Sequence, residues 1–342
     1  MFARRPLRNL LAGAQVLGRR DEMAGGLTRL LKRWRDNYYL SLLLAYSAKL
    51  LRFVAAQGAL NIEQKVRKNS VTIRLPNGKN LSIGRNSGIG IASLLFWHGL
   101  DGFEPETSRT LRFFFERAAT FIDVGANCGL YSILGALWNS DLRVIAFEPV
   151  PSIFDGLKKN VLLNRLEGRV RCENTALSGV SGRATLFLPP GEGLDVESTG
   201  TLASDSWQSR KGSPRLEVET VRFDEYEAGH PMRVDLIKID VEDFEANVLE
   251  GMQKIIMRDR PFIVCEILPR LHGNHRTRKI VEALNYQPYW ITPVGYIRVP
   301  RFDFGRGNFT DFLLSPVSTP DIVLDTLDVL WDLKKRRVEH NK

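Results

Sequence analysis

The sequence predicts an α/β fold with a doubly wound, largely parallel sheet, and three observations lead to this prediction. From residue 119 onward, short apolar runs such as TFIDV and RVIAFEP alternate with stretches of helical periodicity. These runs are almost continuously apolar, which is typical of parallel strands covered by helices on both faces. The first run leads into a turn with two glycines, at the edge where open α/β sheets bind ligands.

The chain ahead of the sheet predicts two further elements. Residues 1–60 hold eleven basic and three acidic side chains, and they therefore carry +8 of the formal net charge of +9. Helical periodicity predicts that this segment forms basic helices. Further on, alternating runs flank Asn77-Gly78, which is a hairpin signal and predicts a small β element. The predicted division is a basic helical segment at 1–60, a β-hairpin and helical lead-in at 61–118, the α/β domain at 119–317, and a C-terminal helix with a basic end at 318–342.

Charge distribution and cysteine count limit the partners and the location. Because the excess of basic over acidic side chains lies in the N-terminal segment and the rest of the chain is close to neutral, we expect an anionic membrane surface or an acidic partner, and no nucleic acid. The same helices offer contacts for a homo-oligomer, and a solvated basic face is the alternative. Three cysteines without a C-x-x-C pair predict a reducing, cytoplasmic location, with peripheral contact to the membrane. The best candidate span, residues 37–48, is too short to cross a bilayer.

The turn after the first strand of the sheet predicts the cofactor. Asp123, Gly125 and Gly129 form an acid-x-Gly-x-x-x-Gly pattern that leads into a helix. A dinucleotide fingerprint needs G-x-G-x-x-G, and Asn127 and Leu130 stand at its second and third glycine positions. An acid before the first glycine suits the positive amino end of S-adenosylmethionine, for which a pyrophosphate would be a poor substitute. A nicotinamide-dependent oxidoreductase is the alternative from another enzyme class.

The end of the second predicted strand supports the same cofactor. Glu148 follows the apolar run VIAF and lies 23 positions after Gly125. A carboxylate at this place can accept hydrogen bonds from both hydroxyls of a ribose. The structural alternatives are a helix-capping role for Glu148 and an ordinary turn role for Gly125.

Six runs of sequence closely resemble the FkbM-type methyltransferases, and the resemblance extends over roughly residues 85–315. They are FEPET (103–107), IDVGANCGLYS (122–132), AFEP (146–149), VETVRFDEY (218–226), DLIKIDVEDFEANVLEGM (235–252) and PFIVCEIL (261–268). The resemblance implies a class I methyltransferase (Rossmann-like) fold of seven strands, the last antiparallel. It also implies methyl transfer from S-adenosylmethionine, usually to a hydroxyl oxygen. One residue departs from the family pattern, because Asp243 stands where the family usually has glycine.

The candidate site residues share one edge of the predicted sheet, where the strands end. The candidate cofactor-binding residues are Asp123, Gly125, Asn127, Gly129, Tyr131, Glu148, Pro149, Ala176, Leu177 and Asp240. The candidate catalytic residues are Asp240, Glu266 and His272, since a carboxylate or an imidazole can take the proton of an acceptor hydroxyl.

Two local features bear on this site. If the fourth strand continues through Glu242, alternation places Lys238, Asp240 and Glu242 on one side. Asp240, Glu242 and Asp243 offer the oxygen ligands that magnesium takes. Acids at the start of a helix more often cap it, so we expect no metal. The Gly-, Ser-, Thr- and Pro-rich stretch between Pro189 and Leu216 predicts a long loop, either a functional lid or an insertion.

These observations predict an S-adenosylmethionine-dependent O-methyltransferase. The family precedent and the basic N-terminal segment favour a hydroxyl of a sugar, glycan or glycolipid as the acceptor. A polyketide-type or other secondary metabolite is the alternative acceptor. A non-catalytic scaffold is a further alternative, although the motif acids Asp123, Glu148 and Asp240 are all present.

Overall fold

The computed structural model describes most of the α/β region and the hairpin that precedes it. The described residues are 70–84, 89–188, 201–202, 213–268, 273–293, 295–299 and 310–317. The predictions for residues 1–60, for residues 318–342 and for His272 lie outside these ranges. The proposed division of the chain therefore stays a prediction.

Strands and helices alternate along the described chain, as the sequence predicted. The strands are β1 (Ser70–Arg74), β2 (Asn80–Gly84), β3 (Thr120–Val124), β4 (Arg143–Phe147), β5 (Val170–Glu173), β6 (Ala176–Leu177), β7 (Gly182–Phe187), β8 (Arg215–Val221), β9 (Leu236–Ile239), β10 (Phe262–Glu266), β11 (Tyr286–Thr292), β12 (Gly295–Arg298) and β13 (Asp311–Pro316). The helices are α1 (Ile89–His98), α2 (Pro105–Phe115), α3 (Leu130–Trp138), α4 (Pro151–Leu163), α5 (Phe223–Gly229), α6 (Glu245–Gly251), α7 (Gln253–Asp259) and α8 (Gly273–Ala283).

Eight of these strands form one mixed sheet in the order β12-β11-β13-β10-β9-β3-β4-β5. The strands β3, β4, β5, β9 and β10 are parallel, and β13 runs antiparallel between β10 and β11. The seven strands from β11 to β5 therefore have the predicted class I methyltransferase arrangement, in which β13, the last of the described strands, is antiparallel.

The sheet has one strand more than predicted, because the chain reverses directly after β11. Gly295 has φ +125°, which glycine adopts without strain, and its carbonyl oxygen accepts a hydrogen bond from the Thr292 hydroxyl at 2.7 Å. The chain then returns along the edge of β11 as β12, with Thr292 opposite Gly295.

A second, three-stranded sheet has the order β6-β8-β7. The candidate cofactor-binding residues Ala176 and Leu177 belong to this sheet, because β5 ends at Glu173 and the two residues leave the main sheet to pair with Thr220 and Val221 of β8. This small sheet lies next to the carboxyl end of β5.

Helices cover both faces of the main sheet, as a doubly wound fold requires. Phe121 and Leu236 pack with α3 and α4 on one face, and Ile122 and Ile237 pack with α6 and α7 on the other. These alternate strand positions are fully buried, which explains why the strands are continuously apolar. Among the helices that the structure describes, none is both long enough and apolar enough to span a membrane.

The predicted hairpin of β1 and β2 packs against the α4 side of the sheet. Two asparagines fix it there, one within α4 and one at the C-terminal cap of that helix. The Asn164 side chain accepts from the Ser82 amide and donates to the Ser82 carbonyl, at 2.9 and 2.7 Å. Asn160 accepts from the Gly84 amide at 2.7 Å and donates to the Cys128 carbonyl at 2.8 Å. The hairpin is therefore joined through Asn160 to the glycine turn after β3.

Candidate active site

The carboxyl ends of β3, β4, β9 and β10 meet at one edge of the main sheet. Asp123 is the penultimate residue of β3, Glu148 and Asp240 follow β4 and β9 directly, and Glu266 ends β10. A cleft with about 660 Å³ of open space lies at this edge. Seven of the ten predicted cofactor-binding residues line it, namely Gly125, Asn127, Glu148, Pro149, Ala176, Leu177 and Asp240.

The glycine turn passes directly against the backbone of Asp240. Gly125 has φ +75°, and a Cβ atom at this position would lie 1.9 Å from the Asp240 carbonyl oxygen. The amides of Gly125 and Ala126 both donate to the Phe147 carbonyl, at 3.1 and 3.0 Å. Only glycine fits at position 125, and its presence brings the turn, the end of β4 and Asp240 into contact.

Glu148 connects the glycine turn to the start of α4. Its carboxylate accepts hydrogen bonds from the amides of Asn127 and Val150, at 3.0 and 2.9 Å. Burial raises the pKa of this carboxyl to about 7, against the effect of the two amide donors. Glu148 is thus a fixed acceptor in the wall of the cleft.

Asp123, Gly129 and Tyr131 are the predicted cofactor-binding residues that do not line the cleft in the described structure. Asp123 is only 1% exposed, and its Oδ2 accepts from the Ser132 hydroxyl at 2.6 Å. Its Oδ1 is buried and has no hydrogen-bond partner among the described residues. Tyr131 is buried as well, and its hydroxyl donates to Glu104 at 2.8 Å.

The small sheet supplies an apolar wall that the sequence analysis did not predict. Leu186 of β7 lines the cleft together with Leu202, which belongs to the long predicted loop. Thr201 pairs with Phe187 through two backbone hydrogen bonds of 2.8 and 2.9 Å, and its hydroxyl donates to the Glu242 carbonyl. This part of the loop thus borders the cleft, whereas the loop itself ends earlier than predicted because β8 starts at Arg215.

Lys238 forms a buried ion pair with Asp240. Its ammonium lies 2.8 Å from Asp240 Oδ2, and the side chain of Lys238 is 6% exposed while that of Asp240 is 27% exposed. Burial alone would raise the pKa of Asp240, but the ammonium and a hydrogen bond with Glu266 lower it. Burial and the Asp240 charge raise the pKa of Glu266, so the two carboxyl groups share a proton. Asp240 is the ionised member of this pair.

The turn after β9 differs from the predicted extension of the strand. β9 ends at Ile239, and Glu242 and Asp243 have φ +54° and +75°. The strand therefore does not continue through Glu242, and alternation along a strand does not determine the side on which Glu242 lies. Glu242 borders the cleft because the left-handed turn brings it back there. A left-handed backbone at position 243 suits glycine, and aspartate is among the few other residues that adopt it readily.

Carboxylate oxygens of Asp240, Glu242 and Glu266 lie within 4.8 Å of one another. The sequence suggested Asp240, Glu242 and Asp243 as possible magnesium ligands, whereas the converging set contains Glu266 and not Asp243. Asp240 already has a cationic partner in Lys238, and converging acids alone do not define a metal site. The expectation of no metal stays a prediction.

The match to a known family decides between the remaining enzyme classes. Residues 123–288 match the family model of the methyltransferase FkbM domain. These residues form an FkbM-type methyltransferase domain. Members of this family use S-adenosylmethionine as the methyl donor, so the methyltransferase is preferred to the nicotinamide-dependent oxidoreductase.

Three curated relatives resemble the FkbM domain. Methyltransferase sdnD of Sordaria araneosa is 30% identical over 155 residues, covering 39% of this chain and 60% of the relative. Hexuronic acid methyltransferase AglP of Haloferax volcanii is 30% identical over 162 residues, covering 47% and 61%. The 31-O-demethyl-FK506 methyltransferase FkbM of Streptomyces tacrolimicus is 29% identical over 153 residues, covering 38% and 58%. The aligned region thus spans about three fifths of each relative's length.

A solved methyltransferase FkbM from Methylobacillus flagellatus KT is 15% identical to this chain, with a TM-score of 0.38. The alignment covers 58% of this chain and 43% of that one. The fold assignment of the FkbM domain rests on its own strand order and directions, which are those of a class I methyltransferase.

Proposed function

We propose that the FkbM domain transfers a methyl group from S-adenosylmethionine to a hydroxyl oxygen of a sugar, glycan or glycolipid. The observation that supports this most directly is that Glu148 and Asp240 line the same cleft. One is a fixed hydrogen-bond acceptor at the end of β4, and the other is an ionised carboxylate at the end of β9. The first suits a ribose, and the second suits an acceptor hydroxyl.

The cleft fits the parts of S-adenosylmethionine. The Glu148 carboxylate would accept from the ribose hydroxyls, and Leu177, Leu186 and Leu202 would pack against the adenine. The unpartnered Oδ1 of Asp123 is a buried acceptor beneath the glycine turn, which supports the predicted contact with the positive amino end. Because no polar group should stay buried without a partner, a cationic group or a water molecule is expected beside it.

Bound S-adenosylmethionine supplies a methyl group on a positively charged sulfur. Asp240 would hold the acceptor hydroxyl in line with this methyl carbon, and such alignment can account for several kcal/mol of the barrier. As the new C–O bond forms and the C–S bond breaks, the hydroxyl proton would pass to Asp240. The other product is S-adenosylhomocysteine. Glu266 is protonated beside Asp240, so it would support the ionised carboxylate and not act as the base.

The acceptor class is supported by the rim and by one relative. Asp240 and Glu242 border the cleft, and carboxylates accept hydrogen bonds from sugar hydroxyls. The Haloferax volcanii relative is named a hexuronic acid methyltransferase. A polyketide-type or other secondary metabolite is the second candidate, and the resemblance to the 31-O-demethyl-FK506 methyltransferase favours it.

Methyl transfer can be tested with methyl-labelled S-adenosylmethionine. The enzyme is incubated with cell extract separated into polysaccharide, lipid and small-molecule pools, and we expect label in the polysaccharide or lipid pool. Label in the small-molecule pool alone would favour the second candidate. If the protein binds S-adenosylhomocysteine but no pool becomes labelled, the result would support the alternative of a non-catalytic scaffold.

Replacement of Asp240 tests the proposed base. We expect Asp240→Asn to reduce kcat by about two orders of magnitude or more, because an amide cannot take up the proton. The affinity for S-adenosylhomocysteine, measured by calorimetry, should fall much less. The exposed Asp141→Asn is the matched control. Equal losses of affinity and rate would mean that Asp240 binds the cofactor instead.

A further inference from the structure

We propose that Lys238 is a positioning residue for methyl transfer, whose ammonium holds the Asp240 carboxylate in one orientation at the edge of the cleft. This inference rests on the proposed function, because it concerns the neighbour of the proposed base.

The place of Lys238 in the sheet is the first argument. It is the third of the four residues of β9, opposite Asp123 of β3 and Val264 of β10. Burying an ammonium at such a position is unfavourable unless nearby groups neutralise it. A side chain that served only as an exposed counter-ion would not need this position.

Five carboxyl groups and one tyrosine hydroxyl from the elements around β9 surround the pair of Lys238 and Asp240. They belong to Glu104 before α2, Asp123 on β3, Tyr131 on α3, Glu242 in the turn, Glu266 on β10 and Asp311 on β13. Glu148 and Glu245 lie further off, and the Asp240 charge contributes to the rise of their pKa values. Within the part of the chain that the structure describes, Lys238 is the one cation in this group.

Lys238 favours the ionised form of Asp240. Its own pKa is raised, because the surrounding carboxylates outweigh the effect of its burial. Burial raises the pKa values of Glu104, Glu266 and Asp311, whereas that of Asp240 is lowered. Asp240 differs from the other three by its direct contact with the ammonium, 2.8 Å from Oδ2. The lysine thus keeps the negative charge on the carboxylate that borders the cleft.

Tyr131 and Glu104 hold the other side of the ammonium. The Tyr131 ring centre lies 5.1 Å from Lys238 Nζ, within the range of a cation–π contact. The Tyr131 hydroxyl donates to Glu104 Oε2 at 2.8 Å. Glu104 has φ +38°, a strained conformation for a residue other than glycine, and such strain often marks functional sites. This arrangement explains what Tyr131, predicted as a cofactor ligand, does behind the cleft.

For the reaction, the ion pair sets the orientation of the Asp240 carboxylate and the moment at which this carboxylate takes the proton. With Oδ2 directed to Lys238 and one lone pair taken by the hydrogen bond with Glu266, the lone pairs of Asp240 that remain are available to the acceptor hydroxyl. A carboxylate paired with an ammonium is a weak base, so it takes the proton only when the hydroxyl oxygen is already forming its bond to the methyl carbon. Loss of Lys238 should therefore reduce the rate of transfer and raise the pKa of Asp240.

The test compares Lys238→Met with Lys238→Arg and with the exposed control Lys254→Met. We expect Lys238→Met to lower kcat by about tenfold or more. The affinity for S-adenosylhomocysteine should change by less than about threefold, because Lys238 is not expected to touch the cofactor. The rise of the rate with pH should move to higher pH, since Asp240 has lost the cation that favours its charged form. Lys238→Arg should recover part of the rate, and Lys254→Met should match the wild type.

Two results would overturn the proposal. One is a folded Lys238→Met variant with the wild-type kcat and pH profile. The other is a loss of S-adenosylhomocysteine affinity as large as the loss of kcat. Should Lys238→Met fail to fold, the double variant Lys238→Met/Glu104→Gln removes one charge of each sign and is measured in its place. If this variant also fails to fold, Lys238 is a residue of the core and the positioning role is rejected.

A second readout separates this proposal from the proposed function. The ionisation of Asp240 can be followed by carboxyl-carbon NMR, with its signal assigned from Asp240→Asn. An upward shift of the Asp240 pKa in Lys238→Met supports the coupling, and an unchanged pKa overturns it, whether or not an acceptor is known. Failure of the wild-type enzyme to methylate any pool would instead contradict the proposed function.

Discussion

At the scale of single residues, Glu148 is the side chain on which the cofactor proposal depends most. Two backbone amides occupy part of its carboxylate, at 3.0 and 2.9 Å, and fix its orientation towards the cleft. A carboxylate has about four acceptor sites, so two remain for the hydroxyls of a ribose. Because both amides belong to segments that flank the cleft, Glu148 already binds the turn, and in the proposed function it would bind the ribose with the same carboxylate.

The pKa of Glu148 leads to a prediction for cofactor affinity. Burial raises this pKa to about 7 in the free protein. If the ribose binds the ionised form, the affinity for S-adenosylhomocysteine should be constant above this pH. It should fall as the pH drops below about 7, by up to tenfold per pH unit, since binding then requires loss of a proton. Calorimetric titrations on both sides of this pH measure the effect.

Glu148→Ala provides the comparison. It should bind S-adenosylhomocysteine roughly tenfold more weakly, because charge-assisted hydrogen bonds to the ribose are lost. Its affinity should also be less dependent on pH than that of the wild type. The exposed Glu167→Ala should behave like the wild type. Unchanged affinity in Glu148→Ala would remove Glu148 from the site.

At the scale of elements, the turn between β9 and α6 determines where Asp240 stands. The strand ends at Ile239, and the left-handed residues Glu242 and Asp243 reverse the chain. The Asp243 amide donates to Glu245 at 3.1 Å, and the Thr201 hydroxyl donates to the Glu242 carbonyl. The turn is thus held from α6 on one side and from the long loop on the other.

The backbone at position 243 can be tested by comparing two substitutions. Asp243→Gly and Asp243→Ala remove the same carboxylate, so that the difference between them reports the backbone alone. Glycine adopts φ +75° without strain and alanine does not, so we expect the glycine variant to be more stable by about 1 kcal/mol. Urea denaturation measures the two free energies of unfolding. Equal values would mean that position 243 is not held in a left-handed conformation.

At the scale of the whole molecule, the charge of the chain and its catalytic motifs lie in different places. Residues 1–60 carry most of the net charge, and every motif of the FkbM domain lies beyond residue 100. The predictions that the N-terminal segment forms basic helices, contacts an anionic surface or supports an oligomer concern residues outside the described ranges. They stay predictions.

Deletion of residues 1–60 tests this separation. The truncated protein should keep its affinity for S-adenosylhomocysteine. It should sediment less with anionic liposomes, or have a lower mass in light scattering, than the full chain. Exposed charges are screened within about 10 Å at 0.1 M salt, so the association of the full chain should weaken as salt is added. Liposomes of neutral lipid are the control. Loss of cofactor affinity with both association assays unchanged would place the segment in the catalytic core.

The residues by themselves predicted a largely parallel α/β sheet, the hairpin, the glycine turn and the acids at the strand ends. These features are readable because each depends on local periodicity or on the residue that follows a strand. The class I arrangement, with its antiparallel last strand, was implied by the resemblance to the FkbM-type methyltransferases. Glu148 and Asp240 both come directly after an apolar run, and parallel strands place their carboxyl ends at one edge. Their positions along the chain were therefore enough to predict that the two carboxylates lie at the same edge of the sheet.

Only the tertiary structure decided which side chains face the cleft and which lie behind it. Asp123 and Tyr131 belong to the same motif as Gly125, yet both are buried and neither lines the cleft. Glu104 meets Tyr131 across 27 positions of sequence. Thr201 meets Glu242 across 41. Such contacts depend on how separate segments pack, and the periodicity within either segment does not predict them.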